Sequence, residues 1–449
     1  MAATTGLKSM LRSSRFILAF LCGFVPCLAA ADAPAPLSLE TTILFSLSQN
    51  PSVKAEMEKI KQAHFGIKEA RSAYYPQVNV SVKGGHEFDD PAGLPTGITS
   101  TKKVMAETNS MDADLAIKQV LFNGFATGEE VDRRKDLEAS ATHASLVTIE
   151  GILQNAVQYY VDVWHYQRAV TESEAFVGEL EEIDRKINLM NAAGAESKAK
   201  KEYVDSRAAS AHSELSKAKA SLADALSNLQ SLTGPLPPFS AQRPLQFDPT
   251  TRKLESYYEL AKTDNERLLL NQSDHSAVEH QIKEQKAAFL PTVTLEMDFR
   301  HGYDVGGHVG NTWNASAMVV IDYKLFDGFS RNAAEGRLQS QALETEFRQK
   351  QLERDVEKEI RKSYNQILSS KQDIASNMKE ILSSESLQDL YKKQFELGEG
   401  DIITMIEGSE RLHTARQNSF KLEANLLTDS YTLLQKIGAL HKERFCASC

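Results

Sequence analysis

Cysteine is scarce, with four in 449 residues. Cys22 and Cys27 lie in an N-terminal leader and Cys446 and Cys449 end the chain as CASC, so no disulfide framework organises the fold. That terminal CxxC lacks a second pair or a thioredoxin-like context and reads as a dangling tail. Past the leader there is no apolar run of eighteen or more, which excludes a helical membrane span. The formal charge is −10, and losing Lys8, Arg12 and Arg15 with the leader makes the mature chain more acidic still. Phosphate recognition needs a concentrated positive face, so nucleic acid is excluded as a partner. There is no GxSxG, no HExxH and no phosphate-cradling glycine loop, so no enzyme activity, cofactor or metal is expected.

The leader itself is informative. A basic start is followed by FILAFLCGFV (Phe16 to Val25) and by LAAA (Leu28 to Ala31), the pattern of a secretory signal peptide over 1–31. Its apolar core is about half the roughly twenty residues a spanning helix needs. Leu21 and Pro26 precede the cysteines where a lipoprotein signal wants a small residue, so lipid anchoring is not expected.

The mature chain repeats itself. LFNGF at Leu121 to Phe125 returns as LFDGF at Leu325 to Phe329, and the same offset carries Tyr160 onto Tyr364, Gly194 onto Gly398, Leu229 onto Leu433 and Gly234 onto Gly438. The expected organisation is a first repeat over 32–234, a linker over 235–249 that opens with Pro-Leu-Pro-Pro, a second repeat over 250–438 and a tail over 439–449. Within each repeat a helical pattern gives way to a period of two before returning to helix. Val78, Val80 and Val82 alternate with polar residues, as do Ala113, Leu115 and Ile117; Val293, Leu295, Met297 and Phe299; and Trp313, Ala315, Ala317, Val319, Ile321 and Tyr323. Strands are expected at about 76–88, 111–122, 291–300 and 312–325.

Alternation alone fits an ordinary half-buried sheet. Strands of about ten residues with aromatic ends, on an exported chain, point instead to a transmembrane β-barrel with a charged lumen. Edges cannot face lipid and about eight strands make the smallest useful barrel, so four strands must be completed by identical neighbours, in a dimer or a trimer. From Ala126 to about Met190, and again from Ser330 to about Leu397, the chain has no proline; about 65 helical residues span roughly 95 Å. Each long helix turns at a glycine, Gly194 or Gly398, and returns as a shorter one. The first return helix carries a heptad seam (Leu215, Leu222, Leu229 beside Ala218, Ala225, Leu232). In the second, Asp429 and Lys436 interrupt it.

Signal peptide, duplicated helix–strand–strand–helix unit, LFxGF after the second strand and glycine-tipped hairpins together resemble the TolC family of outer-membrane channel-tunnels over essentially the whole mature chain. LFNGFATGEEVDRRK and LFDGFSRNAAEGRLQSQ look most like its type I secretion branch. The resemblance implies an α+β membrane protein: a homotrimer whose twelve-stranded β-barrel in outer-membrane lipid continues as a long α-helical periplasmic barrel. It also implies tips that dock a periplasmic adaptor (a membrane fusion protein) of an inner-membrane ABC or RND transporter. The matching tip positions are Ala193, Gly194 and Ala195, with Leu397, Gly398 and Glu399. The matching positions around the family's periplasmic gate are Lys200, Thr404 and Glu407, and here the chain departs from the family, since some members have aspartates at the positions of Lys200 and Thr404. Leu121, Phe122, Gly124 and Phe125, with Leu325, Phe326, Gly328 and Phe329, are read as strand–helix junctions at the membrane edge. The expected function is the exit duct of a type I secretion system; the outer-membrane part of a multidrug efflux pump and a periplasmic coiled-coil adaptor or scaffold are the alternatives.

Overall fold

The computed structural model describes residues 35–89, 106–194, 196–305 and 310–441. The leader, Ala195, Cys446 and Cys449 lie outside the described residues.

Short capped helices open each repeat. Helix α1 (Leu39–Gln49) starts at Ser38, whose hydroxyl accepts the Thr41 N–H at 3.2 Å. Asn50 ends α1 and caps α2 (Pro51–Ser72), accepting the Ser52 N–H at 2.8 Å, with Pro51 in the first turn where its missing N–H costs nothing. The second repeat uses the same device: Asn265 separates α5 (Leu254–Asp264) from α6 (Glu266–Ala287) and accepts the Arg267 and Leu268 N–H groups. Pro76 and Pro291 then force extended backbone.

Strands β2 (Gln77–Asp89) and β3 (Ala106–Phe122) follow α2, and β5 (Thr292–Tyr303) and β6 (Asn311–Asp322) follow α6. β3 begins ahead of the alternation that marks it in sequence because pairing with β2 extends the ladder past Ser110, opposite Gly85. β6 stops at Asp322, where the chain turns into LFDGF. The four make one antiparallel sheet in the order β2-β3-β5-β6. Helices α3 (Ala126–Ala192) and α7 (Ser330–Glu396) have 67 residues each, and the return helices α4 (Lys198–Thr233) and α8 (Ile402–Ile437) have 36 each. At 1.5 Å per residue the long helices reach about 100 Å.

The helices form a layer four wide. Near the sheet α3 packs against α2 and α6, and α6 against α7; toward the tips α3 packs against α4 and α8, and α8 against α7. Thus α2 and α4 flank α3 on one side, while α6 and α8 fill the space between α3 and α7. This explains why Asp429 and Lys436 are tolerated: α8 is an interior stave with neighbours on both sides, and Leu426 and Leu433 stay buried while Lys436 reaches Glu359 at 3.2 Å. Among the described residues no helix is long and apolar enough to cross a membrane.

The segment read as a plain linker does more than connect. Strand β4 (Phe239–Ala241) pairs in parallel with β1 (Ala35–Leu37) across the middle of the rod. Proline is compatible with such a short strand at an edge. The buried Tyr160 hydroxyl donates to Leu37 O at 2.6 Å and Gln242 O at 2.8 Å, and Gln167 bonds Phe239 O and the Ala241 N–H, fastening this belt to α3.

Candidate functional site at the sheet, junctions and tips

The sheet has two chemically distinct faces. Directly paired residues share a face, and the register places Val78 opposite Ile117, Val80 opposite Leu115, Leu115 opposite Phe299, Ile117 opposite Met297, and Leu295 opposite Val319. This apolar face is largely uncovered: Val80 is 71% and Ile321 68% exposed. On the other face, Ser81 and Lys83 pair with Asp114 and Asp112, and Asp298 with Ser316. There Arg300 grips Asp112 through two hydrogen bonds of 2.7 and 2.9 Å, and Lys118 meets Glu296 at 2.9 Å. One face suits hydrocarbon and the other water.

Both LFxGF motifs turn strand into helix with two successive left-handed residues, Gly124 (φ 65°) and Phe125 (φ 69°), then Gly328 (φ 66°) and Phe329 (φ 65°). Asn123 bonds Thr127 at 2.7 Å, while Asp327 accepts from Arg331 at 2.8 Å and Arg331 also donates to Ala288 O and Lys324 O. The aromatic pairs stand edge to face, Phe122–Phe125 at 5.5 Å and Phe326–Phe329 at 5.6 Å. Phe125, Phe326 and Phe329 are exposed beside Leu121 and Leu325, so the junctions present an apolar aromatic rim rather than filling an interior.

At the far end, Gly194 (φ 73°) and Gly398 (φ 78°) close α3 and α7 in the left-handed conformation that glycine adopts freely. Ala193, Gly194, Leu397, Gly398 and Glu399 are all exposed, Leu397 at 75%. Ser197 and Asp401 cap the return helices. Of the three positions expected at a gate, Lys200 is engaged most: it bridges Glu196 at 3.1 Å and, across to the other hairpin, Asp401 at 3.2 Å. The hydrogen bond to Glu196, then Asp401, raises the Lys200 ammonium above its ordinary value. Burial alone would lift Asp401, but the Ile403 N–H and Lys200 outweigh it and hold the carboxyl below its ordinary value. The Thr404 hydroxyl donates to Asp401 O at 2.7 Å, and Glu407 is exposed near Arg207.

Sequence reasoning missed the partners that make this a seam. From the tip upward the two hairpins are joined by Lys200–Asp401, Arg207–Glu410 at 3.4 Å, Glu179–Lys392 at 2.7 Å, Glu172–Arg416 at 3.4 Å and Arg168–Glu423 at 2.9 Å. Glu179 also accepts from Gln388 and Ser409, so its charge is well compensated. Beneath the ion pairs, Phe176, Leu180, Ile183 and Ile187 of α3 pack against Ile402, Met405 and Ile406 of α8. Only Asp401 carried a sequence signal, an aspartate immediately ahead of the apolar run Ile402-Ile403. Among the described residues no group of His, Cys, Asp and Glu is arranged to hold a metal ion.

Residues 257–439, the greater part of the second repeat, match the family model described as outer membrane efflux protein. No curated protein matches the chain. Solved structures match its fold nearly end to end. VceC from Vibrio cholerae is 14% identical, with a TM-score of 0.74 over 89% of this chain and 96% of that one. The CmeC outer membrane channel of Campylobacter jejuni is 13% identical, with a TM-score of 0.76 over 90% and 86%. The MtrE outer membrane channel of Neisseria gonorrhoeae, solved in an open state, is 13% identical, with a TM-score of 0.73 over 90% and 89%.

Proposed function

Because the chain carries the fold of the TolC-family outer-membrane channels and matches the outer membrane efflux protein family through most of its second repeat, we propose that three copies assemble into one exit duct. Its place is the outer membrane, with the helical part reaching into the periplasm. The observation that carries this reading is the four-stranded sheet, with one apolar exposed face and one charged face, running directly into two 67-residue helices. Open sheet edges in lipid would leave backbone N–H and C=O groups unpaired, so neighbouring copies supply the closing strands. Twelve strands then enclose a wet lumen, and the long helices continue it. The sites at Ala193, Gly194, Ala195, Leu397, Gly398 and Glu399 are the docking tips for a periplasmic adaptor. Lys200 and Asp401, with Thr404 and Glu407 beside them, form the ties that narrow the periplasmic mouth.

The duct performs no chemistry. It lowers the barrier to crossing the outer membrane by substituting a hydrated lumen for hydrocarbon, and energy comes from the inner-membrane transporter. We assign the cargo as exported polypeptide delivered by a type I system, on the character of the two LFxGF segments and the residues after them. The family model's own description favours a second reading, small-molecule efflux. Deletion of the gene separates them: loss of a secreted protein with unchanged drug susceptibility supports the first, and intact secretion with raised susceptibility overturns it. A chain released from membranes by salt, without detergent, would overturn both in favour of a periplasmic scaffold.

A further inference from the structure

The two hairpins are built to one plan, which makes a chemical difference between them conspicuous. About three helical turns from the tip glycine, α3 and α4 meet through Asp184 and Asp205, carboxyl against carboxyl, close enough to share a hydrogen bond. The matching rung of the second hairpin is Gln388 and Ser409, joined by an ordinary amide-to-hydroxyl bond of 2.9 Å. The first rung is two carboxyls; the second is a neutral amide and hydroxyl, both donating to the Glu179 carboxylate of α3.

The local geometry shows what the first rung lacks. Asn188 donates to Asp184 Oδ2 at 3.0 Å, and Lys201 donates to Asp205 Oδ2 at 2.6 Å. Asp184 Oδ1 is buried and receives no donor among the described residues. Two carboxylates in contact cannot both be ionised cheaply, and a proton on one of them supplies the missing donor. Other charges do not relieve the rung. On α4, Lys201 is the one cation acting on both carboxylates, and Glu202 adds negative charge beside it. On α3, Glu181 turns to His212 at 3.4 Å. From α8, Glu407 and Glu410 act on Arg207, and from α7, Lys392 is taken by Glu179.

We propose that Asp184 and Asp205 form a proton-operated clasp that tightens the first hairpin, and not the second, when the periplasm acidifies. At neutral pH the rung carries two negative charges against one Lys201 ammonium and is loose. On acidification one proton bridges the carboxyls and draws α3 and α4 together. The linkage has the right sign. Burial and the neighbouring Asp205 raise Asp184, while Lys201 lowers Asp205. A raised carboxyl contributes stability that fades as pH rises through its folded value; a lowered one contributes stability that fades as pH falls through its own. The pair therefore titrates in two steps, and the clasp is firmest between them, with one proton bound. This goes beyond the duct reading and does not rest on it.

Amide hydrogen exchange on the purified full chain in detergent tests it, comparing about pH 4 with about pH 7.5 after correction for intrinsic rates, a span that reaches from the ordinary aspartate range to neutrality. Peptides covering residues 180–209 are expected to gain several-fold in protection at the acid end. Peptides covering residues 384–409, which leave out His413 and its partners Glu172 and Glu214, serve as the internal control and are expected to respond alike in the wild type and in Asp184→Asn. Asp184→Asn places a permanent amide donor in the rung and should make the first hairpin equally protected at both pH values; Asp205→Asn should do the same from the other side. Equal gains in both hairpins, no gain in the first, or an undiminished pH effect in a folded variant would overturn the clasp. Loss of the duct reading by fractionation would leave this result standing.

Discussion

Gly124 and Gly328 occupy equivalent positions with nearly identical backbone angles, φ 65° and 66°, yet substitution should harm them unequally. At either position an alanine forced into the left-handed region costs roughly 1–2 kcal/mol. The surroundings then diverge. A Cβ at Gly124 would lie 2.7 Å from Ala287 O and 3.1 Å from Ala287 Cα and Cβ, whereas at Gly328 nothing lies within 4 Å. Ala287 is the buried last residue of α6, so its backbone has to shift, an overpacking penalty of about 1–3 kcal/mol. Gly124→Ala should therefore cost about 2–5 kcal/mol and Gly328→Ala only about 1–2 kcal/mol. Thermal or denaturant unfolding of the purified proteins, followed by loss of helical circular dichroism, measures the difference. Valine at either position should reduce assembled oligomer on semi-native gels, more severely at Gly124. A Gly328→Ala variant as unstable as Gly124→Ala would refute the argument that contact with α6, beyond the turn itself, fixes the first junction.

Other perturbations follow from the same geometry. Lys200→Glu replaces the tie to Asp401 by a third carboxylate beside Glu196; although the pair is worth about 1 kcal/mol or less, uptake of a bulky antibiotic should rise, and Lys200→Glu with Asp401→Lys should restore exclusion. Asp401 is held low and Lys200 high, so the wild-type tie is lost only as pH falls through the lowered Asp401 value or rises through the raised Lys200 value; single-channel conductance should show no step from this pair between about pH 5 and about pH 9. Val80→Lys puts a charge on the exposed apolar face and should cost about 2–4 kcal/mol and reduce outer-membrane insertion, while Ser81→Lys on the opposite face should insert normally, as read by membrane fractionation. Tyr160→Phe removes the hydroxyl that holds Leu37 O and Gln242 O, and a loss of about 1–2 kcal/mol in unfolding experiments is expected.

Much of the architecture was legible because its signals are periodic. Val78-Val80-Val82 and Trp313 to Tyr323 betray strands by alternation, and the uninterrupted run after each LFxGF betrays a long helix by the absence of proline. The repeat supplied the hairpin tips through Gly194 and Gly398. What stayed hidden depends on contacts between segments far apart in sequence. Nothing local to Pro237-Pro238-Phe239 indicates that the strand beginning at Phe239 pairs with residues 35–37, because the partner lies about two hundred residues earlier in the chain and is pinned by Tyr160. The cross-hairpin pairs were invisible for a similar reason: Glu179 and Lys392 look like ordinary solvated charges until α3, α7 and α8 are brought together. Lys200 was singled out by position, but its partner Asp401 emerged only with the structure.

The two edges of the molecule ask for the same remedy. In the sheet, β2 and β6 each have one side unpaired among the described residues. In the tip half of the helical layer, α4 and α7 are the outer staves, and their uncovered faces differ in size. On α4, Ala209, Ser213, Ser216, Ala220, Ala223 and Ser227 are exposed at alternating spacings of four and three, a row of small side chains. On the tip half of α7, Leu368 and Leu382 are exposed at a spacing that is a multiple of seven, with Met378 and Leu390 beside them. A row of small residues is a groove and a row of large ones is a ridge, and helices pack by placing ridge into groove. In the proposed trimer, the head-to-tail operation that seats α7 of one copy against α4 of the next would cover the exposed leucines, and the same operation would have to pair β6 with the next β2. Such a contact is heterologous and must close into a ring or grow without end. In the proposed duct it is the barrel, with no open edge in lipid, that ends the growth.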